Sequence, residues 1–200
     1  MKEFQYLRPE TVEEAIALRC EHEGCSVLLN GGTDIVIQLR ERLIAPEYVI
    51  DMKHIKGLNQ ITFNKEEGLY IGACVTMNEI GDNKDVKEYY PFLSEAALSV
   101  GSKQVRNRAT LIGNIVNASP LCDTGTLIPI TEFTTFVRKT VLKTDEIVIG
   151  IKVPYIEGAK GIFTKVSRRK EVDLSTICGT VLKIGDSYRM AFGAVAPTPL

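Results

Sequence analysis

The chain has 200 residues, and its 24 Lys and Arg against 25 Asp and Glu leave a formal net charge of −1. With 44% apolar and 24% charged residues, it has the make-up of a folded protein large enough to bury a core, which excludes a disordered chain. No basic block points to nucleic acid or an anionic membrane, no apolar run nears the ~20 residues that span a bilayer, and the N-terminal residues lack the apolar stretch of a signal peptide.

In chain order, Phe4 to Leu7 reads as a short strand that ends before Pro9. Thr11-Val-Glu-Glu14 is a capping box: the threonine hydroxyl can accept the N3 amide proton while Glu14 reaches back. Val12, Ala15, Ile16 and Cys20 then recur at helical spacing, with Gly24 as the stop. Ser26 to Leu29 reads as a buried strand, Asn30-Gly31-Gly32-Thr33 as a turn, Asp34 to Leu43 as a helix, and Tyr48 to Asp51 as a strand. Strand and helix alternating in this way predict a small parallel α/β unit.

From Leu58 the pattern changes. Gln60 to Phe63 and Leu69 to Ala73 flank a polar loop and predict a hairpin. Thr76-Met-Asn-Glu79 is a second capping box, opening a helix that ends near Gly81, and Pro91 to Val100 reads as a buried helix. Residues 101–125, rich in Gly, Asn and Ser, read as irregular. Ile147, Ile149, Ile151 and Val153 alternate as a half-buried strand; residues 162–167, 177–184 and 188–195 read as further strands, with Gly185-Asp186 turning the last pair. The fold class is α+β: a small α/β head followed by a mixed, strand-rich body.

The five cysteines are scattered and odd in number, with no C-x-x-C pair, and the two histidines, His22 and His54, lie near no nucleophile motif. A reduced, cytoplasmic protein without its own metal or catalytic residue follows as the expectation. Its chemistry would belong to a bound cofactor.

Three segments are candidates for holding one. In Leu28-Leu-Asn-Gly-Gly-Thr-Asp34 a strand runs through two glycines into a helix start, exposing backbone N–H groups that a phosphate can approach; a plain strand–helix turn needs the same glycines. In the stretch from Ala109 to Asp123, Asn114 and Asn117 can satisfy either a ligand or an irregular loop, and Asp123 suits a ribose or ribityl hydroxyl. The basic run Lys165-Val-Ser-Arg-Arg-Lys170 is either solvated charge or a cation for a flavin edge. Cys122 and Cys178 read as small core residues.

Taken together and in this order, these segments resemble the FAD-binding (medium) subunit of the xanthine dehydrogenase and carbon-monoxide dehydrogenase type of molybdenum hydroxylase. The Gly31-Gly32-Thr33-Asp34 turn is similar to its first flavin motif, and Thr110-Leu-Ile-Gly-Asn-Ile-Val-Asn-Ala-Ser-Pro120, continuing to Asp123, to its second. Gly72 to Thr76, Ser102 to Arg106, Lys165 to Arg169 and Phe192 to Pro199 match further family segments.

The resemblance implies a two-lobed FAD-binding fold, with an α/β lobe in residues 1–56, a mixed lobe in 57–157, and the beginning of an α+β C-terminal domain in 158–200. It implies FAD between the lobes. Leu28, Leu29, Asn30, Gly31, Gly32, Thr33, Asp34 and Ile35 would hold the pyrophosphate. Val100, Val105, Ala109, Thr110, Gly113, Asn114, Val116, Asn117, Cys122 and Asp123 would follow the rest of the cofactor, with Ile147 and Val148 on the adenine side. Lys165 would approach from the C-terminal domain, and Asp173 and Leu174 would border the isoalloxazine ring. The implied task is electron transfer from the iron–sulfur clusters of a small subunit to NAD or another acceptor, while a large molybdopterin subunit hydroxylates the substrate. A stand-alone FAD-dependent oxidase of the same fold, or an assembly protein that lost flavin, are the alternatives. Against the family, Gly125 to Phe133 arrives early and the chain stops soon after Ala-Pro-Thr-Pro199, which implies a natural polypeptide longer than 200 residues.

Overall fold

The computed structural model describes residues 1–126, 132–169 and 172–200. The early-arriving segment that ends at Phe133 and the Lys170–Glu171 end of the basic run fall partly or wholly outside the described residues.

The head is built from β1 (Gln5–Leu7), α1 (Val12–Glu21), β2 (Ser26–Leu29), α2 (Ile35–Arg40) and β3 (Tyr48–Asp51). Its strands form a parallel sheet in the order β1-β3-β2, with Tyr48 paired to both Gln5 and Ser26. Thr11 caps α1 by accepting from the Glu14 amide at 3.1 Å, but the Glu14 carboxylate accepts from the Glu10 amide at 2.8 Å rather than from the cap itself. Helix α1 stops at Glu21, and Gly24 takes its left-handed conformation (φ 75°) in the turn that follows. Two further expectations are corrected. Strand β2 is half-buried along its whole length rather than buried, because it runs beside an open cleft. Helix α2 is six residues long and stops short of Leu43; Arg42 just beyond it has φ 59°, which no helix continues.

The body begins with the hairpin of β4 (Ile61–Asn64) and β5 (Gly68–Gly72). The full capping box forms at α3 (Met77–Asp82), where Thr76 and Glu79 satisfy each other's amides. Helix α4 (Lys84–Tyr89), capped by Asn83, has no counterpart in the sequence reading, and α5 (Pro91–Leu98) follows with proline in its first turn. The stretch 101–125 is more regular than expected: α6 (Lys103–Arg106) is capped by Ser102 and α7 (Leu111–Val116) by Thr110, with a 3-10 turn over Asp123–Thr126. Leu69, Ile71, Met77, Ile80, Leu93 and Leu111 form the center of the main core.

Next come a small hairpin of β6 (Thr134–Phe136) and β7 (Lys139–Thr140), also unanticipated, and β8 (Gly150–Val153), which starts later than the alternation suggested and pairs antiparallel with β5. The last three strands, β9 (Lys160–Val166), β10 (Ile177–Ile184) and β11 (Ser187–Gly193), make an antiparallel sheet. Phe163 and Cys178 from its inner face pack on Ala96 of α5, while Ile162, Val166 and Met190 stay exposed. A second core cluster joins head to body: Ala15, Ile50 and Met52 pack with Ala73 and Ile112. Among the described residues no helix is long and apolar enough to cross a membrane.

Ile71 is fully buried on β5 at the middle of the main core. Replacing it by alanine removes a large buried side chain and leaves a cavity, so Ile71→Ala is expected to lower unfolding free energy by about 2–5 kcal/mol in a urea titration. A change below about 1 kcal/mol would contradict this packing.

Candidate functional site

The first glycine turn leaves β2 and passes directly against the segment that leads into α7. A Cβ on Gly31 would overlap the carbonyl oxygen of Arg108 and lie 3.1 Å from the Ala109 Cα, so only glycine permits this approach. Gly32 has φ 80°, a conformation that glycine adopts without steric cost. Among the described residues, the backbone N–H groups of Gly31, Gly32, Thr33, Asp34 and Ile35 donate to no protein acceptor. Helix α2 is too short to carry a full macrodipole. The anion-binding character of the turn therefore rests on these free amides rather than on the helix.

The opposite wall is held from behind. The Met77 amide donates to the Ala109 carbonyl at 2.8 Å, Thr76 bridges to Thr110, and the Thr110 hydroxyl accepts from the Gly113 amide at 3.0 Å. Asn114 turns its side-chain oxygen inward to accept from the Thr124 hydroxyl at 2.7 Å and the Cys122 thiol at 2.9 Å, leaving its NH₂ as the group available to a ligand.

Between these walls lies a cleft of about 520 Å³, inside the ~300–1,000 Å³ usual for small-molecule sites. The structure brings together on it Leu28, Asn30, Gly31, Gly32, Thr33, Asp34 and Ile35 from the first turn. From the other wall come Val100, Val105, Ala109, Thr110, Gly113, Asn114, Val116 and Asn117, and Ile147 and Val148 close one end. Six expected residues are not on the cleft wall. Leu29 lies beneath Gly32. Cys122 is buried behind Asn114. Asp123, 6% exposed, and Lys165 form a buried ion pair at 2.7 Å. The other Asp123 oxygen accepts from the Ser175 hydroxyl, and the Lys165 ammonium also donates to the Ser99 carbonyl at 3.2 Å. That pair joins β9 to the end of α5. Asp173 meets Arg169 at 3.4 Å, and Leu174 is exposed.

The sequence reading missed several residues here. Arg19 on α1 lines the end near Ile147 and donates to the Thr144 carbonyl at 2.9 Å; Ser26, Gln38 and Glu146 are further polar lining groups. Arg138, at the β6–β7 turn, reaches from outside to Asp34 at 3.0 Å and to the Asn117 side chain, linking the two walls at the mouth. Only the outward polar face of α1 hinted at Arg19. Nothing local marked Arg138.

Behind the first turn sits a buried carboxylate. Asp51 is 1% exposed and accepts from the Tyr6 hydroxyl, the Lys53 amide at 3.1 Å and the Lys53 ammonium. Burial works to raise its pKa, but the hydrogen bonds from Lys53 and Tyr6 outweigh it and hold the carboxyl below its ordinary value.

A family model described as the FAD binding domain in molybdopterin dehydrogenase matches residues 2–128. The chain belongs to this family. It is 30% identical to the xanthine dehydrogenase FAD-binding subunit of Escherichia coli O157:H7, over 98% of this chain and 75% of that one. It is 31% identical to the carbon monoxide dehydrogenase medium chain of Hydrogenophaga pseudoflava, over 98% and 76%. Its fold superposes on the solved carbon monoxide dehydrogenase of that organism with a TM-score of 0.93 at 29% identity, covering 99% of this chain and 77% of that one. The mixed α+β architecture expected from the sequence is thus the family's own.

Two outcomes follow from this geometry. Gly31→Ala is expected to force the two walls apart, lowering stability by about 1–3 kcal/mol as overpacking does and weakening cofactor retention, read by denaturation and by flavin content after gel filtration. Burial pushes the Cys122 and Cys178 thiols up to about 11, so at pH 8 only about one molecule in a thousand carries either thiolate. In the native protein an alkylating reagent at pH 8 should therefore label exposed Cys20 and spare these two; labeling of Cys122 in folded protein would contradict the packing.

Proposed function

We propose that the chain carries FAD in the cleft between its head and body and acts as the electron-transfer subunit of a molybdenum-containing hydroxylase. One observation carries this reading: the two glycine-bearing segments meet at Gly31 and Arg108 with a row of free amides beside them. That donor set fits a diphosphate, because it offers several fixed N–H groups and a backbone approach that no side chain obstructs. The apolar walls formed by Val100, Val105, Ile112 and Val116 suit flat aromatic rings on either side of it.

In this reading the direct contacts are the lining residues. The amides of Gly31 to Ile35 hold the pyrophosphate, Thr110, Gly113 and Asn114 follow the ribityl portion, and Ile147 and Val148 with Arg19 enclose the adenine. Lys165 and Asp123 act behind the wall, where their ion pair fixes the C-terminal sheet against the cleft. Bound there, FAD supplies the exchange between one-electron and two-electron carriers. The protein's own work is to bind, orient and shield it. The electrons would come from iron–sulfur clusters on a small partner subunit, downstream of a large molybdopterin subunit, and would leave for NAD or another acceptor. The names of the relatives, a medium chain and FAD-binding subunits of dehydrogenases, support this arrangement.

The test is direct. Purified protein freed of cofactor, mixed with FAD and passed through gel filtration, should retain one flavin per chain, with the flavin fluorescence altered by burial. A colorless protein that retains none would overturn the reading.

A further inference from the structure

The first glycine turn separates two recesses. Asn30 and Gly31 line the large cleft and also a recess of about 40 Å³ on its far side, which Lys53, Cys74 and Arg108 share. From that far side the Lys53 ammonium donates to the Asn30 carbonyl oxygen at 3.2 Å, and the Asn30 side chain donates to the Ala73 carbonyl at 2.9 Å. Lys53 is itself pinned: Asp51 accepts from both its ammonium and its amide, and Tyr6 holds the second Asp51 oxygen.

A peptide unit is planar, and in its trans form the carbonyl and the N–H point in opposite directions. Among the described residues no peptide bond is cis. Whatever fixes the Asn30 carbonyl toward Lys53 therefore turns the Gly31 N–H away from Lys53, toward the large cleft. The Gly31 N–H is one of the amides without a protein acceptor. A cation on the carbonyl also polarizes the peptide and strengthens the N–H as a donor.

We infer that Lys53 is a positioning residue for the cofactor's diphosphate: through the Asn30 carbonyl it aims and activates the Gly31 N–H, while Asp51 and Tyr6 hold the lysine in place. Lys53 is not among the residues that line the large cleft, and its effect on the cleft is transmitted through the Asn30–Gly31 peptide plane. The inference rests on the diphosphate reading of the cleft given above.

Removing Lys53 alone strands a buried carboxylate, so the test uses two variants of the full chain. Asp51→Asn with Lys53→Met removes both charges together and abolishes donation to Asn30, whereas Lys53→Arg keeps a cation that can make both contacts. Titration of the cofactor-free protein should show FAD and ADP binding about tenfold weaker in the double variant, the loss of one charge-assisted hydrogen bond, and near the original value in Lys53→Arg. The direct readout is the Gly31 amide in a ¹⁵N spectrum. Addition of ADP should shift it strongly in the original protein and in Lys53→Arg, and weakly in the double variant. Unchanged FAD and ADP affinity in a folded double variant, or a Gly31 amide that ignores ADP in the original protein, would overturn this inference while FAD retention still stood. Failure of the original protein to bind either FAD or ADP would overturn the diphosphate reading and this inference with it.

Discussion

The architecture depends on a contact in which a side chain is forbidden. At Gly31 the first turn lies against the Arg108 carbonyl with no room for a Cβ, and this brings the end of β2 to the start of α7 although Gly31 and Arg108 are 77 positions apart in the chain. Everything that makes the cleft follows from it. The turn cannot fold its amides back on itself, because its carbon side is occupied by another backbone. They are left facing open space, and the second core cluster, with Ala15 and Ile50 against Ile112 and Ala73, holds the two walls at that distance. Apolar packing sets the separation and glycine permits it. Hydrogen bonding is then left incomplete where a ligand can complete it.

What the sequence disclosed was local. The cap at Thr76 and the β4–β5 hairpin were legible because each depends on residues a few positions apart, and the parallel α/β head because its strands and helices alternate along the chain. The helices of the 101–125 stretch were not read, although Ser102 and Thr110 both accept from the amide three residues on, as N-caps do. Their four- and six-residue lengths leave too few turns for hydrophobic periodicity to register. Most of the cleft's lining was named in advance through the family resemblance rather than through spacing. Arg138, Arg19 and Lys53 were out of reach because each acts across a long stretch of chain: Arg138 meets Asp34 from 104 positions away and Arg19 meets Thr144 from 125.

Asp123 shows how a residue type suited to a cofactor hydroxyl can be placed elsewhere by the fold. A carboxylate beside an Asn-rich loop suits a sugar hydroxyl, but here both of its oxygens are taken, by Lys165 and by Ser175. A buried ion pair gains little net stability, yet losing one partner leaves an uncompensated charge in the interior. Its value is therefore geometric. Lys165 comes from β9, Ser99 from the end of α5 and Asp123 from the turn behind Asn114, so the pair ties the C-terminal sheet to the wall of the cleft at a fixed distance. The neighboring cysteines contribute in the same way: Cys122 donates to the Asn114 oxygen, and burial keeps its thiol protonated for that purpose.

The two sides of the first turn are thus held by interactions of opposite character. Behind it, the buried Asp51 carboxylate, where screening by solvent is weak, holds the part-exposed Lys53 and through it the Asn30 carbonyl, with Tyr6 on its other oxygen. In front, Arg138 and Asp34 are about half exposed, with side chains 49% and 45% accessible. An ion pair in that setting contributes little and breaks easily. For the dinucleotide proposed to occupy this cleft, the asymmetry matters. The amides must already point correctly when its phosphates arrive, since donors that reorient during binding lose part of the gain to ordering. At the mouth, a half-exposed link from Asp34 through Arg138 to Asn117 resists little when a ligand enters between the walls. A stiff back and a yielding front let one cleft be both preorganized and accessible.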